Sequence, residues 1–348
     1  MASQLLEHPP ACARGSPQRR PMKRPGETAE DSDGEAAMAS DDSDAGADGR
    51  AAQGQATSKR AKRSQVTLSD GRVVSAHVRN HVNPLLPHFQ KPVPVPAGGD
   101  WSQVFRDTSL PIVLDLGCAK GRFCLEGAKR FPTFNWIGVE IREPLVVRAN
   151  QWAKEQELGN LHYIFGNASA GMADLLQSFP AGSLRHVTIQ CPDPWFKRKH
   201  QKRRMLTGRL SDELATHMPA TGTVFVQSDV EQVAMQMSDF LVASGFARAE
   251  RVQTLAETSG AASTPAVEPV ARPRATAGRD YQDKTVGGGE WENKGAAADS
   301  DGSYNWLADN PLGLMSERES STLSRGLPVF RATFHTTRGA SSAVGEEA

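Results

Sequence analysis

From about residue 110 the chain alternates short apolar runs with longer segments of helical period. IVLDLG at 112–117 predicts a strand ending in an acid and a glycine. GRFCLEGAKRF at 121–131 then sets Cys124, Leu125, Ala128 and Phe131 on one helical face. The alternation continues through NWIGVEI (135–141), a helix over 143–156, LHYIFGNA (161–168), a helix at about 169–178 and HVTIQCPD (186–193). TVFVQSD (223–229), a helix over 230–244 and a closing strand in GLPVFRATF (326–334) complete it. Apolar strands interleaved with helices of roughly 10–15 residues predict an α/β fold, a doubly wound, mostly parallel sheet.

Two stretches lack this pattern. Residues 1–66 are rich in Pro, Gly, Ala and Ser, with nine acids and no base between Glu27 and Asp48. Basic clusters flank that block, Arg19, Arg20, Lys23 and Arg24 before it and Lys59, Arg60, Lys62 and Arg63 after. The composition reads as a disordered tail, and the clusters as an import signal, a loose nucleic-acid contact or a solvated linker. Nucleus and cytoplasm are the expected location, a plastid or mitochondrion the alternative. Residues 256–302, with the triplet Gly287–Gly289, read as a low-complexity insertion. The folded domain is therefore expected over 80–255 and 303–338.

The formal charges cancel, 40 Lys and Arg against 40 Asp and Glu, so a polycation is excluded and the local blocks carry the information. No apolar run approaches the length of about 18 residues that a membrane helix needs. Cys12, Cys118, Cys124 and Cys191 form no CxxC pair, so neither a structural metal site nor a disulfide framework is expected.

The segment DLGCAKG places Asp115 at a strand end and Gly117, Ala119 and Gly121 in the turn beyond it. So tight a turn requires residues with little or no Cβ. The dinucleotide fingerprint wants GxGxxG, which this turn lacks. The pattern instead suits S-adenosylmethionine, which has no pyrophosphate, with Asp115, Gly117 and Gly121 expected among its binding residues. Glu140 ends the second strand, where a carboxylate can accept from ribose hydroxyls. Asn167 and Ala168 close the third, placed to read an adenine edge.

At the fourth strand end stands CPDPWFKRKHQKRR, residues 191–204. Pro192 and Pro194 bracket Asp193 and keep it extended. Trp195 and Phe196 offer faces for a base. Lys197, Arg198, Lys199, Lys202, Arg203 and Arg204 follow, a basic run that, if helical, aims its charge at phosphates; a solvated basic helix face is the plainer reading.

Here the chain resembles the tRNA (guanine-N7)-methyltransferases, most closely their plant and algal members. The likeness spans about 80–245 and 304–335 and rests on PDPWFK-RK-H-Q-KRR, DLGCAKG, VEIR (139–142), QSD (227–229), HVNPLLPHF and DWSQVFRD. SERE at 316–319 is similar to the family's carboxy-terminal T-x-x-E element, with Ser316 replacing the threonine. The resemblance implies a Rossmann-like class I methyltransferase fold whose C-terminal strand is antiparallel, and methylation of N7 of a variable-loop guanine in tRNA. It implies that Gly117, Glu140, Ile141, Asn167, Ala168, Gln190 and Cys191 line the S-adenosylmethionine site. Asp193 would be the catalytic acid residue, and Lys197, Asp229, Ser316, Glu317, Arg318 and Glu319 would contact the substrate. A β-propeller partner of WD-repeat type accompanies some eukaryotic members. Methylation of another RNA or of an mRNA cap, and a non-catalytic RNA-binding homologue, stay open as alternatives.

Overall fold

The computed structural model describes residues 65–68, 70–75, 82–249, 255, 297–299 and 302–337. The acidic block, both basic clusters and nearly all of the 256–302 segment lie outside the described residues. Strands β1 (Gln65–Thr67) and β2 (Val73–Ser75) pair antiparallel, so among the described residues β1 overlaps the last two positions of the stretch read as tail.

The principal sheet contains β3 (Ile112–Leu116), β4 (Asn135–Glu140), β5 (Leu161–Phe165), β6 (Leu184–Gln190), β7 (Thr223–Ser228), β8 (Phe246–Arg248) and β9 (Phe330–Thr336). Its order is β5-β4-β3-β6-β7-β9-β8. The first five strands run parallel, and β9 inserts antiparallel between β7 and β8. This is the doubly wound, mostly parallel α/β sheet expected, with its antiparallel C-terminal strand.

Strands buried on both faces explain the continuous apolar runs. Ile112, Leu114, Leu116, Ile137, Val139, Val187 and Ile189 belong to one core layer. Val113, Trp136, Leu161, Tyr163 and Phe225 belong to the other, as a period of two requires. Helices α1 (Arg122–Arg130), α2 (Glu143–Glu155), α3 (Ala173–Ser178), α4 (Gly208–His217), α5 (Glu231–Ala243) and α6 (Glu317–Ser324) complete the unit. Pro144 in the first turn suits the start of α2, and Thr207 caps α4 by accepting from the Leu210 N–H.

Three details differ from the sequence expectation. The helix at 169–178 splits, because Gly171 (φ 150°) separates a 3₁₀ turn at Ala168–Ala170 from α3. The basic run forms a short 3₁₀ helix over Arg198–Arg203 rather than an α-helix. Helix α4 fills a stretch to which no element was given. Among the described residues no helix is long and apolar enough to cross a membrane.

With β4 on one side of β3 and β6 on the other, the sheet changes winding direction at β3. Doubly wound sheets bind ligands in the crevice beyond the strand ends at such a point.

Candidate active site

The turn after β3 is held by its own backbone. Gly117 and Cys118 N–H groups donate to the Val139 carbonyl (2.8 and 3.0 Å), and Gly121 N–H to that of Cys118 (2.8 Å). Ala119 N–H donates to Glu140 Oε2 at 2.9 Å. Gly117 and Gly121 adopt φ of 80° and 76°. A Cβ on Gly121 would lie 2.5 Å from the Tyr163 ring, whose hydroxyl donates to the Gly121 carbonyl. Amides that would cradle a pyrophosphate are thus engaged, and the turn fits a cofactor without phosphates.

Beneath it Asp115 is buried, accepting from Thr188 Oγ1 (2.6 Å), Gln190 Nε2 (3.3 Å) and Cys124 Sγ (3.7 Å). Burial above all, with the charge of Glu140 adding, pushes its carboxyl up to about 6. Burial likewise raises the thiols of Cys118 and Cys124 well above their ordinary value.

Glu140, also buried, already accepts four hydrogen bonds. Oε1 takes Arg142 N–H (3.0 Å) and Nε (2.7 Å), and Oε2 takes Ala119 N–H and Arg142 Nη2 (3.2 Å). Four bonds fill a carboxylate, so ribose hydroxyls received there would replace part of the Arg142 contact. Burial alone would lower the Arg142 guanidinium, but its bonds to Glu140 and the charges of Glu140 and Asp193 hold it above its ordinary value. Arg142 was not singled out from sequence, although its place two residues after Glu140 in VEIR was a signal. Ile141 lies between the two in sequence and is half-buried. Asn167 donates from Nδ2 to the carbonyls of Pro84 and Phe89, both at 3.1 Å, and accepts from Ser169. Its amide therefore fastens the approach segment 83–89 over the strand ends, rather than standing open to an adenine edge. Ala168 beside it is buried.

Past β6 the backbone is strained. Cys191 and Trp195 take φ of 46° and 42°, values uncommon for residues with a Cβ. Burial pushes the Cys191 thiol up to about 12, so it is no reactive thiolate. Asp193, half-buried between its prolines, is close enough to Arg142 to act on it electrostatically. Trp195 carries the Arg203 guanidinium 4.9 Å from its ring centre and meets His200 edge-on at 5.8 Å, so its ring is already packed, where stacking on a base was expected. Lys197, Arg198, Lys199 and Lys202 are exposed. Arg204 is a correction to the expected phosphate contacts. It is 4% exposed and donates to the Pro194 carbonyl and to Gln236 Oε1, each at 2.7 Å; burial brings its guanidinium down to about 10.

Helix α6 closes the crevice from the other side. Ser316 and Glu319 form a reciprocal capping box. Glu317 meets Lys120 of the glycine turn (3.5 Å) and Arg122 at the start of α1 (2.8 Å), and Arg318 meets Asp229 beyond β7 at 2.6 Å. Glu319, expected to contact substrate, is 1% exposed and ion-paired with Arg331 of β9 at 2.7 Å. It supports the helix start from below. Among the described residues no cluster of three His, Cys, Asp or Glu side chains could hold a metal ion.

Comparison with known proteins adds a family context. The methyltransferase family model Methyltransf_4 matches residues 109–282. A tRNA (guanine-N(7)-)-methyltransferase of Trichormus variabilis is 38% identical over 74% of this chain and 94% of its own. One from Thermosynechococcus vestitus is 49% identical over 49% of this chain and 76% of its own. Among solved structures, an aminoglycoside resistance methyltransferase aligns over 67% of this chain and 88% of its own, with 12% identity and a TM-score of 0.35.

Proposed function

The chain belongs to the tRNA (guanine-N7)-methyltransferases, and we propose that its switch-point crevice transfers a methyl group from S-adenosylmethionine to N7 of a tRNA guanine. One observation carries the assignment of the site. Residues 191–204 set a carboxylate between two prolines at the end of β6, the strand paired with β3, and follow it, after Trp195 and Phe196, with four exposed bases.

In this reading Gly117, Gly121, Glu140, Ile141, Asn167, Ala168, Gln190 and Cys191 surround the cofactor. The cofactor supplies a sulfonium methyl group as electrophile. N7 of guanine has a free lone pair and no proton, so the chain needs no general base for the attack. The task left to its residues is alignment. Asp193 holds the guanine edge through N1–H and N2–H₂ and offsets the positive charge that develops on the purine. Lys197, Arg198, Lys199 and Lys202 grip phosphates, with Arg203 braced against Trp195. Asp229, Ser316, Glu317 and Arg318 border the nucleoside, and the Asp229–Arg318 pair fixes the rim between β7 and α6.

The test uses the purified chain, unmodified tRNA and S-adenosylmethionine, followed by borohydride reduction and aniline scission. Scission at a single variable-loop guanine is expected. A β-propeller partner subunit belongs to the same reading if scission appears only once such a subunit is added. Cofactor binding without scission under either condition would sink the catalytic reading, and methylation confined to capped transcripts would move it to another RNA.

A further inference from the structure

A row of long polar side chains crosses the sheet at the ends of β6 and β7 and the start of β9. Gln190 of β6, Gln227 of β7 and Arg331 of β9 occupy one register row, in strands that bury Val187, Ile189, Val224, Phe225, Val226, Ala332 and Phe334 alongside the smaller polar Thr188, Ser228 and Thr333. They are joined end to end. Asp115 Oδ1 accepts from Gln190 Nε2 at 3.3 Å, Gln190 Oε1 from Gln227 Nε2 at 2.8 Å, and Glu319 Oε2 from the same nitrogen at 3.1 Å. Glu319 Oε1 then accepts from Arg331 Nη2 at 2.7 Å. Gln227 Nε2 also reaches Ser316 Oγ at 3.4 Å. The row thus runs without interruption from the acid beneath the glycine turn to the first residues of α6.

Its polarity is fixed by chemistry. Asp115 and Glu319 lie at opposite ends, and an ionised carboxylate only accepts, so each neighbouring amide must turn its nitrogen outward. Two amides between two acceptors cannot all be satisfied, and the defect falls on Gln227. Its side chain is 0% exposed, and among the described residues Oε1 has no partner. An orphaned buried acceptor is costly, and the glutamine carries that cost while its nitrogen serves Gln190 on one side and Glu319 on the other. What the residue provides in return is a link between the two ends. The other connection between the glycine turn and α6, Glu317 with Lys120 and Arg122, is exposed and screened by solvent.

Resting on the methyltransferase reading, we infer that Gln227 is a positioning residue that couples occupation of the cofactor pocket to the placement of the Ser316–Glu319 element against tRNA. It touches neither ligand and acts through Gln190 on one side and Ser316 and Glu319 on the other.

The experiment measures tRNA affinity with and without S-adenosylhomocysteine, for the wild type, Gln227→Met and Gln227→Asn. In the wild type the two affinities should differ by about fivefold or more. By linkage, tRNA should change S-adenosylhomocysteine affinity by the same factor. In Gln227→Met that factor should fall to within about twofold of unity while S-adenosylhomocysteine still binds alone. A folded Gln227→Met that keeps the wild-type factor overturns the inference, as does a wild type that binds both ligands without coupling. If Gln227→Met does not fold, Gln227→Asn decides in the same terms, because its amide keeps the polarity of the position but is one methylene too short to span from Gln190 to Glu319. A wild type that binds no tRNA overturns the functional reading, and the relay falls with it.

Discussion

Asp193 sits in backbone whose left-handed residues are denser than elsewhere among the described residues. Of the five non-glycine residues with left-handed φ among the described residues, Ala119, Cys191 and Trp195 stand at this site, each costing on the order of 1 kcal/mol or more. Such strain is retained where surrounding structure over-determines it, here by Cys191 N–H donating to the Gln227 carbonyl (2.8 Å) and Arg204 Nε to that of Pro194. Asp193→Asn keeps the volume and removes the charge. Turnover should fall about 10²-fold or more with S-adenosylmethionine affinity little changed, and near-normal single-turnover rates would defeat the assignment. Asp115, Glu140 and Asp193 were legible as residues, since an acid at the end of an apolar strand interrupts its pattern. The roles of Arg142, Asn167 and Gln227 were not, because each is defined by a partner on another element that linear order does not reveal.

The basic run shows the same limit at the scale of an element. Six bases in sequence look equivalent, but a 3₁₀ turn distributes them around its axis, leaving Lys197, Arg198, Lys199 and Lys202 in solvent and sending Arg204 into the core beside α5. Lys199→Gln and Lys202→Gln should each lower the slope of log affinity for tRNA against log salt by roughly 1, leaving the melting temperature unchanged. Arg204→Met should do the reverse, leaving the slope and costing about 1–3 kcal/mol through the unpaired Pro194 carbonyl and Gln236 amide. Filter binding over a salt series, with urea unfolding alongside, separates the two classes; a slope change for Arg204→Met would return it to the phosphate contacts. The strands were legible because burial on both faces makes them continuously apolar. Helix α4 was passed over because its ten residues, GRLSDELATH, bury only Leu210, Ser211, Leu214 and Ala215, a stripe too short to stand out after a charge run.

For the molecule as a whole, the balance of 40 bases and 40 acids leaves no net attraction for RNA, so recognition rests on the local field of the crevice. The dependence of stability on pH is similarly a matter of two buried groups rather than of the charge sum. Asp115 is pushed up to about 6, chiefly by burial, and His186 down to about 4, by burial and the charge of Arg185. Their unfolded values are about 3.9 and 6.5. Between pH 4 and 6 the native state holds the Asp115 proton more tightly than the unfolded chain does, so this group makes stability fall as pH rises. Over nearly the same window the unfolded chain protonates His186 while the native state keeps it neutral, and this group makes stability rise with pH. The two slopes oppose each other, each at most about 1.4 kcal/mol per pH unit, and the wild type should show little net dependence from the pair. Asp115→Asn removes the falling contribution and leaves stability climbing with pH from 4 to 6. His186→Gln removes the rising one, so stability should decline across the same interval. Urea unfolding at half-unit steps of pH, expressed as differences from the wild type, cancels every group the substitutions leave untouched. Parallel curves for the three proteins would show that neither group changes its proton affinity on folding. Divergence in opposite directions would mean that the acid beneath the glycine turn is protonated in mild acid, so the hydrogen bonds around Asp115 shift their charge at a pH where the fold itself is intact.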